Sequence, residues 1–182
     1  MTCIVGYVEE NGDVIIASDT RVCYGHLKRS VNKVFRKNNL LFGLAGMLRQ
    51  SQIIQYNLVI PEHPRGISDM EYMCHILGDA IRDKIKECDA FHIQDGNPDM
   101  NTHGLVGYNG ELYFMSSDLA FVRTRDDYEA CGSGQEFALG ALAAMERDVT
   151  LSAKDKVVES IKIAARYSNS VNDSVDVQIL KR

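Results

Sequence analysis

A threonine directly behind the initiator methionine is the feature of this sequence that bears most directly on chemistry. A small second residue normally permits removal of the methionine, and Thr2 would then carry a hydroxyl and a free α-amine together. Such an amine has a pKa of about 7.7–8.0, close enough to neutrality to take the hydroxyl proton. The residue would be a nucleophile with its own base. Many chains begin Met-Thr for no chemical reason, so the pair alone decides nothing. Other constellations are weaker. Cys131 with a histidine would make a thiol nucleophile, but His26, His63, His75, His92 and His103 show no local signature, and a free cysteine commonly serves as a small buried hydrophobe. Glu71 and His75 stand one helical turn apart, which is too few ligands for a metal site. Gly132-Ser133-Gly134-Gln135 lacks the pattern of a phosphate loop. No metal or organic cofactor is implied.

The elements that must position these residues follow from hydrophobic spacing. Asn11-Gly12 separates the apolar runs 2–8 and 14–17, a strong hairpin signal. The stretch 21–30 is polar. A second strand pair covers 31–35 and 40–44, and a helix follows over 47–59, stopped before Pro61. Ser68-Asp69-Met70-Glu71 fits a capping box, and Met70, Met73, Cys74, Leu77, Ala80, Ile81 and Ile85 form one apolar stripe, predicting a helix to about residue 88. Residues 89–102 contain Asp95-Gly96-Asn97-Pro98-Asp99 and read as an exposed loop. Asn109-Gly110 joins a third hairpin, 105–108 with 112–115, and 119–122 adds a possible strand. The helix predicted over 135–145 is almost wholly apolar and is expected to be buried on most sides. Ser152 caps another helix, and 175–180 alternates as a last strand. Strands and helices in separate blocks indicate an α+β fold with two antiparallel sheets and helices outside.

The 182 residues suit one domain spanning 1–182, with 20 Lys plus Arg, 25 Asp plus Glu and 45% hydrophobic residues. The formal charge of −5 offers no general basic field for a phosphate backbone, which argues against nucleic acid as a partner. No apolar run approaches the roughly 20 residues of a spanning helix. Strand-like residues follow Met1 at once, without the basic and apolar regions of a signal peptide, so the chain reads as cytoplasmic with no membrane partner. Five scattered cysteines, odd in number, form neither a disulfide framework nor a zinc knuckle.

Five segments occur in the order and approximate spacing of proteasome β-type subunits: Thr2-Cys3-Ile4-Val5-Gly6, Val14 through Arg21, Asn32-Lys33-Val34-Phe35, Gly43-Leu44-Ala45-Gly46 and Cys131-Gly132-Ser133-Gly134. Taken together the chain resembles a proteasome-like N-terminal-nucleophile hydrolase. Its length, and a threonine behind Met1 with no propeptide, are more similar to the bacterial HslV type than to longer proteasome subunits. The resemblance implies a four-layer αββα sandwich and a threonine-type peptidase needing no cofactor. It further implies a homo-oligomeric ring acting on peptide or unfolded-protein substrates, fed by an ATP-dependent unfoldase.

By resemblance, Thr2 matches the nucleophile, and Lys33 and Asp19 match the lysine and acid that support it. Read singly, Asp19 is a turn residue and Lys33 an exposed strand charge. Gly46 matches the glycine whose N–H forms the oxyanion hole, although it would equally serve a strand-to-helix turn. Leu44 and Met47 would flank an apolar specificity pocket. Ser133 matches the serine beside the threonine amine, or else caps the following helix. Near the C-terminus proteasome subunits supply an Asp and a Ser, whereas 167–173 has no aspartate at that place, a departure the HslV type shares. Ser168 and Asn172 are the supporting candidates there. Two other functions fit the same features: a non-catalytic proteasome-like scaffold, and an amidohydrolase of small amides using the same nucleophile and amine.

Overall fold

A computed structural model describes residues 2–94 and 97–182, so Met1, Asp95 and Gly96, on which the removal of Met1 and part of the 89–102 loop rest, lie outside the described residues. The chain opens with β1 (Ile4–Val8) and β2 (Val14–Asp19), paired antiparallel across the Asn11-Gly12 turn. Next come the short strands β3 (Arg21–Tyr24) and β4 (Leu27–Ser30), which form a two-stranded sheet of their own among the described residues. This hairpin occupies the polar stretch 21–30, where the sequence pattern marked no strand. Its β4 residues are all exposed, so no buried alternation marked it in the sequence. Then follow β5 (Val34–Lys37), β6 (Leu40–Gly46) and helix α1 (Leu48–Tyr56).

The long helix begins as α2 (Asp69–Glu71), passes through a π-helical stretch (Tyr72–Leu77) and ends as α3 (Gly78–Glu87). Ser68 and Glu71 close the expected capping box. The π-helical stretch leaves no trace in the apolar stripe, because Met73, Leu77, Ile81 and Ile85 are all buried. Within the predicted loop, the short strands β7 (His92–Gln94) and β8 (Asn97–Asp99) pair with each other, a correction to that reading. The two central residues of the next turn, Asn109 and Gly110, take φ of 49° and 79°, the left-handed geometry of a tight hairpin. They join β9 (Thr102–Tyr108) to β10 (Glu111–Met115), and β11 (Phe121–Arg123) follows. The final elements are β12 (Tyr128–Cys131), which sequence spacing missed, α4 (Gln135–Met145), α5 (Ala153–Tyr167) and β13 (Val175–Leu180).

One sheet has the order β12-β1-β2-β13 and the other β11-β10-β9-β6-β5. Three apolar clusters fill the spaces between layers. Ile4, Val14, Ile16, Leu41, Leu105 and Leu112 lie between the sheets. Val5, Ile15, Leu142, Val157 and Ile161 join the first sheet to α4 and α5. Phe42, Ile53, Met73, Leu77, Val106 and Tyr113 join the second sheet to α1 and the long helix. The result is the expected α+β, four-layer αββα sandwich. Helix α4 departs from expectation: it buries Ala138, Ala141 and Leu142, while Phe137 is 39% exposed and stacks on the exposed Tyr167.

The sheets lie close because each presents glycines to the other's side chains. A Cβ on Gly6 would stand 2.7 Å from a Leu112 methyl, and one on Gly43 would stand 2.6 Å from methyls of both Ile4 and Ile16. Those distances leave no room for a methyl, and the neighbours are themselves fully packed. Gly43→Val is therefore expected to destabilise the fold by about 1–3 kcal/mol. Urea unfolding followed by circular dichroism measures it, with the midpoint falling and the slope unchanged.

Candidate active site

Sheet pairing brings the sequence-predicted residues to one end of the sandwich. Thr2 and Cys3 directly precede β1, whose Ile4 pairs with Ser18 on one side and Cys131 on the other. The residue after Ser18 is Asp19, and two residues after Cys131 comes Ser133. Both therefore arrive beside the start of the chain from opposite flanks. Gly46 ends β6 in the facing sheet, opposite Thr102.

Asp19 is fully buried and its carboxylate accepts three hydrogen bonds: from Lys33 Nζ at 2.8 Å, the Cys3 amide at 2.9 Å and the Arg21 amide at 3.0 Å. Lys33 is itself 8% exposed. The reading of this pair as a turn residue and an exposed charge is thus overturned. Burial pushes the Lys33 ammonium below the usual lysine range, and the Asp19 carboxylate pulls it partly back. Ser133 Oγ accepts from the Thr2 nitrogen at 3.0 Å, and its hydroxyl also lies 3.2 Å from the Thr2 carbonyl oxygen. The cap of α4 is Gly134 and makes no side-chain cap bond, so Ser133 is committed to Thr2 and not to the helix end. Gly132 has φ of 89°, and a Cβ there would meet the Thr2 carbonyl oxygen at 2.4 Å, which explains a glycine at that point.

From Ser133 a chain of hydroxyls leads outward, to Ser170 Oγ at 2.9 Å and on to Ser168 Oγ at 2.8 Å. The sequence pointed to Ser168 and missed Ser170. The i, i+2 spacing of two serines was the available signal, but only the end of α5 and the turn after it aim Ser170 at Ser133. Asn172 is used differently from expectation: its Oδ1 accepts the Thr20 and Arg21 amides at 3.0 and 3.1 Å, fixing the strand entry beside Asp19.

Thr2, Lys33 and Gly46 line a common cavity of about 380 Å³. Val31, Phe35, Leu44 and Leu48 supply apolar wall, and Leu44 stands where the sequence placed it. Met47 is not among the lining residues; its amide instead bonds the Asn101 carbonyl at 3.1 Å and Thr102 Oγ1 at 3.2 Å, anchoring the start of α1. Gly46 takes φ of 114°, and a Cβ would stand 2.2 Å from the Asn101 carbonyl oxygen. Only glycine fits the turn that carries the backbone past Thr2. The thiol alternative fails on geometry: Cys131 is fully buried in an apolar setting that raises its pKa, disfavouring thiolate. Glu71 is occupied by the Ser68 amide and hydroxyl, both at 2.8 Å.

No protein-family profile matches the chain. It is 25% identical over 177 residues to the ATP-dependent protease subunit HslV of Thermosipho africanus, covering 95% of this chain and 94% of that one. Among solved structures, BPH of Thiobacillus denitrificans in complex with epoxomicin superimposes with a TM-score of 0.81 at 18% identity, covering 100% of this chain and 98% of that one. Over nearly its whole length the chain is similar to HslV-type protease subunits. Eukaryotic HslV from Trypanosoma brucei shares the fold at a TM-score of 0.68 and 17% identity, over 99% of each chain. Against this HslV-type background, the Lys33–Asp19 pair, the Ser133 contact and the shared cavity are features of the present chain's own geometry.

Asp19→Asn would leave a buried ammonium facing a neutral amide. We expect a loss of about 3–5 kcal/mol of stability, read by chemical denaturation, while Asp19→Asn together with Lys33→Met recovers part of it. A double variant no more stable than the single one would show that the pair is not what holds this end together.

Proposed function

We propose that the chain is a threonine-type endopeptidase subunit, with Thr2 as nucleophile once Met1 is removed. The observation that supports it is one cavity lined by Thr2, Lys33 and Gly46, with the Thr2 nitrogen held by Ser133. Freed of Met1, that nitrogen becomes an amine and takes the hydroxyl proton as Thr2 Oγ attacks the scissile carbonyl. Lys33, kept charged and oriented by Asp19, favours the developing alkoxide electrostatically. The Gly46 N–H receives the oxyanion. Collapse, with the α-ammonium handing its proton to the leaving nitrogen, expels the amine product and leaves an ester on Thr2 Oγ; the freed α-amine then deprotonates a water that hydrolyses the ester, returning the proton to Thr2 Oγ and releasing the acid product. The Ser133-Ser170-Ser168 chain holds and shuttles the amine's protons. No metal or organic group enters these steps.

Assembly belongs to the same reading. The relative named above is a subunit of an ATP-dependent protease, and we infer that this chain likewise forms a homo-oligomeric ring in the cytoplasm, receiving unfolded protein from an ATP-dependent partner. The exposed, mutually stacked rings of Phe137 and Tyr167 support an oligomer, since a monomer would leave them in water. No helix among the described residues is long and apolar enough to cross a membrane.

Intact-mass measurement after incubation with epoxomicin tests processing and nucleophilicity together. The expected species lacks Met1 and carries one inhibitor adduct at Thr2; retention of Met1 in the active preparation overturns the amine-base mechanism and favours the scaffold reading. Thr2→Ala should lower peptide cleavage by at least about 10³-fold with the oligomer unchanged on a sizing column. For the unmodified enzyme, kcat/KM should rise with pH as the amine loses its proton, reaching half its maximum near pH 7–8.

A further inference from the structure

The cavity that Thr2 lines shares Arg21 with a second one of about 480 Å³, its cationic arm. Four cations contribute to its wall, Arg21, Lys28, Lys162 and Arg166, against one carboxylate, Asp173. Lys162 also stands 3.8 Å from Glu159 with both side chains about half exposed, a pair that neutralises little in water. A chain whose formal charge is −5 thus concentrates positive charge at one place.

That place is tied to the reacting residue on two sides. The Arg21 amide is held by the Asp19 carboxylate and by Asn172, and its guanidinium donates to the Asn169 carbonyl at 3.0 Å. Ser168, which also lines the second arm, begins the hydroxyl chain that reaches Thr2 through Ser170 and Ser133. An extended polypeptide bound at Thr2 would therefore have its neighbouring residues within reach of the cationic arm. A recess with converging cations concentrates anions and rewards a carboxylate over its neutral isostere.

We propose that the cationic arm is a substrate subsite for an acidic side chain, so that this peptidase selects polypeptides carrying Asp or Glu close to one side of the cleaved bond. The assignment rests on the peptidase reading for its cleavage consequence but not for its binding consequence. Two fluorescent peptides differing only as Glu against Gln, at each position within three of an apolar residue, separate the two. Binding to the Thr2→Ala protein is followed by anisotropy and cleavage by the unmodified enzyme. At the responsive position the Glu peptide should bind about 10-fold more tightly, the worth of one charge-assisted hydrogen bond. The ratio should fall toward one in Lys28→Gln/Arg166→Gln and as salt is raised on the unmodified protein. A ratio near one at every position, or one indifferent to both salt and the double variant, overturns the subsite. Glu-selective binding without cleavage of any peptide sustains the subsite and overturns the peptidase reading.

Discussion

The buried carboxylate of Asp19 sets the terms for everything near the start of this chain. A charge removed from water without partners costs several kcal/mol, and here it is met by one ammonium and two backbone amides. Each partner belongs to a different segment: Lys33 from the connection before β5, Cys3 from the entry to β1, Arg21 from the start of β3. Satisfying one group therefore fixes three pieces of backbone against each other. Thr2, one residue before Cys3, inherits that rigidity, as does the cationic recess whose shared wall is Arg21. Removing the carboxylate would cost more than an ion pair, because two amides and an ammonium would lose their acceptor at once.

The sandwich holds this arrangement by close approach of two sheets. Gly6 and Gly43 admit Leu112, Ile4 and Ile16 from the opposite layer, so the two sheets approach closely around the apolar side chains packed between them. Proximity of Gly46 in one sheet to Thr2 in the other depends on it. The Gly132-Ser133-Gly134 segment works at the same scale: it folds over the Thr2 carbonyl so closely that a methyl at Gly132 would collide with it, and this brings the Ser133 hydroxyl to the Thr2 nitrogen. Rigid backbone on three sides of Thr2 is the kind of setting electrostatic catalysis gains from, with donors already in place.

Much of the fold was legible locally. The Asn11-Gly12 and Asn109-Gly110 turns demanded backbone that few residues adopt, and the Ser68 and Ser152 caps announced helices through bonds made within four residues. The elements that escaped have no such local mark. β4 is exposed throughout, β7 and β8 are three residues each around a Pro and a Gly, and β12 has only half its residues buried. Helix α4 erred in the other direction: its composition is that of a core helix, yet one side is left uncovered within a single chain. Burial of that side depends on what packs against it, which periodicity alone does not specify.

The sequence by itself determined the chemistry on offer: a threonine behind Met1, an aspartate ending an apolar strand, a lysine before another, and glycines where a side chain would collide. Residue type fixes what each group can donate, accept or carry. Tertiary structure alone decided which of those groups meet. Ser133 lies 131 residues from Thr2 and became its partner and not a helix cap because β12 pairs with β1. Ser170 entered the site, and three further cations of ordinary surface appearance came to line one recess with Arg21, through the way the chain folds after α5 and β3. Contacts between distant segments are set by sheet register and the turn after α5, and neither is written in the spacing of the residues that make them.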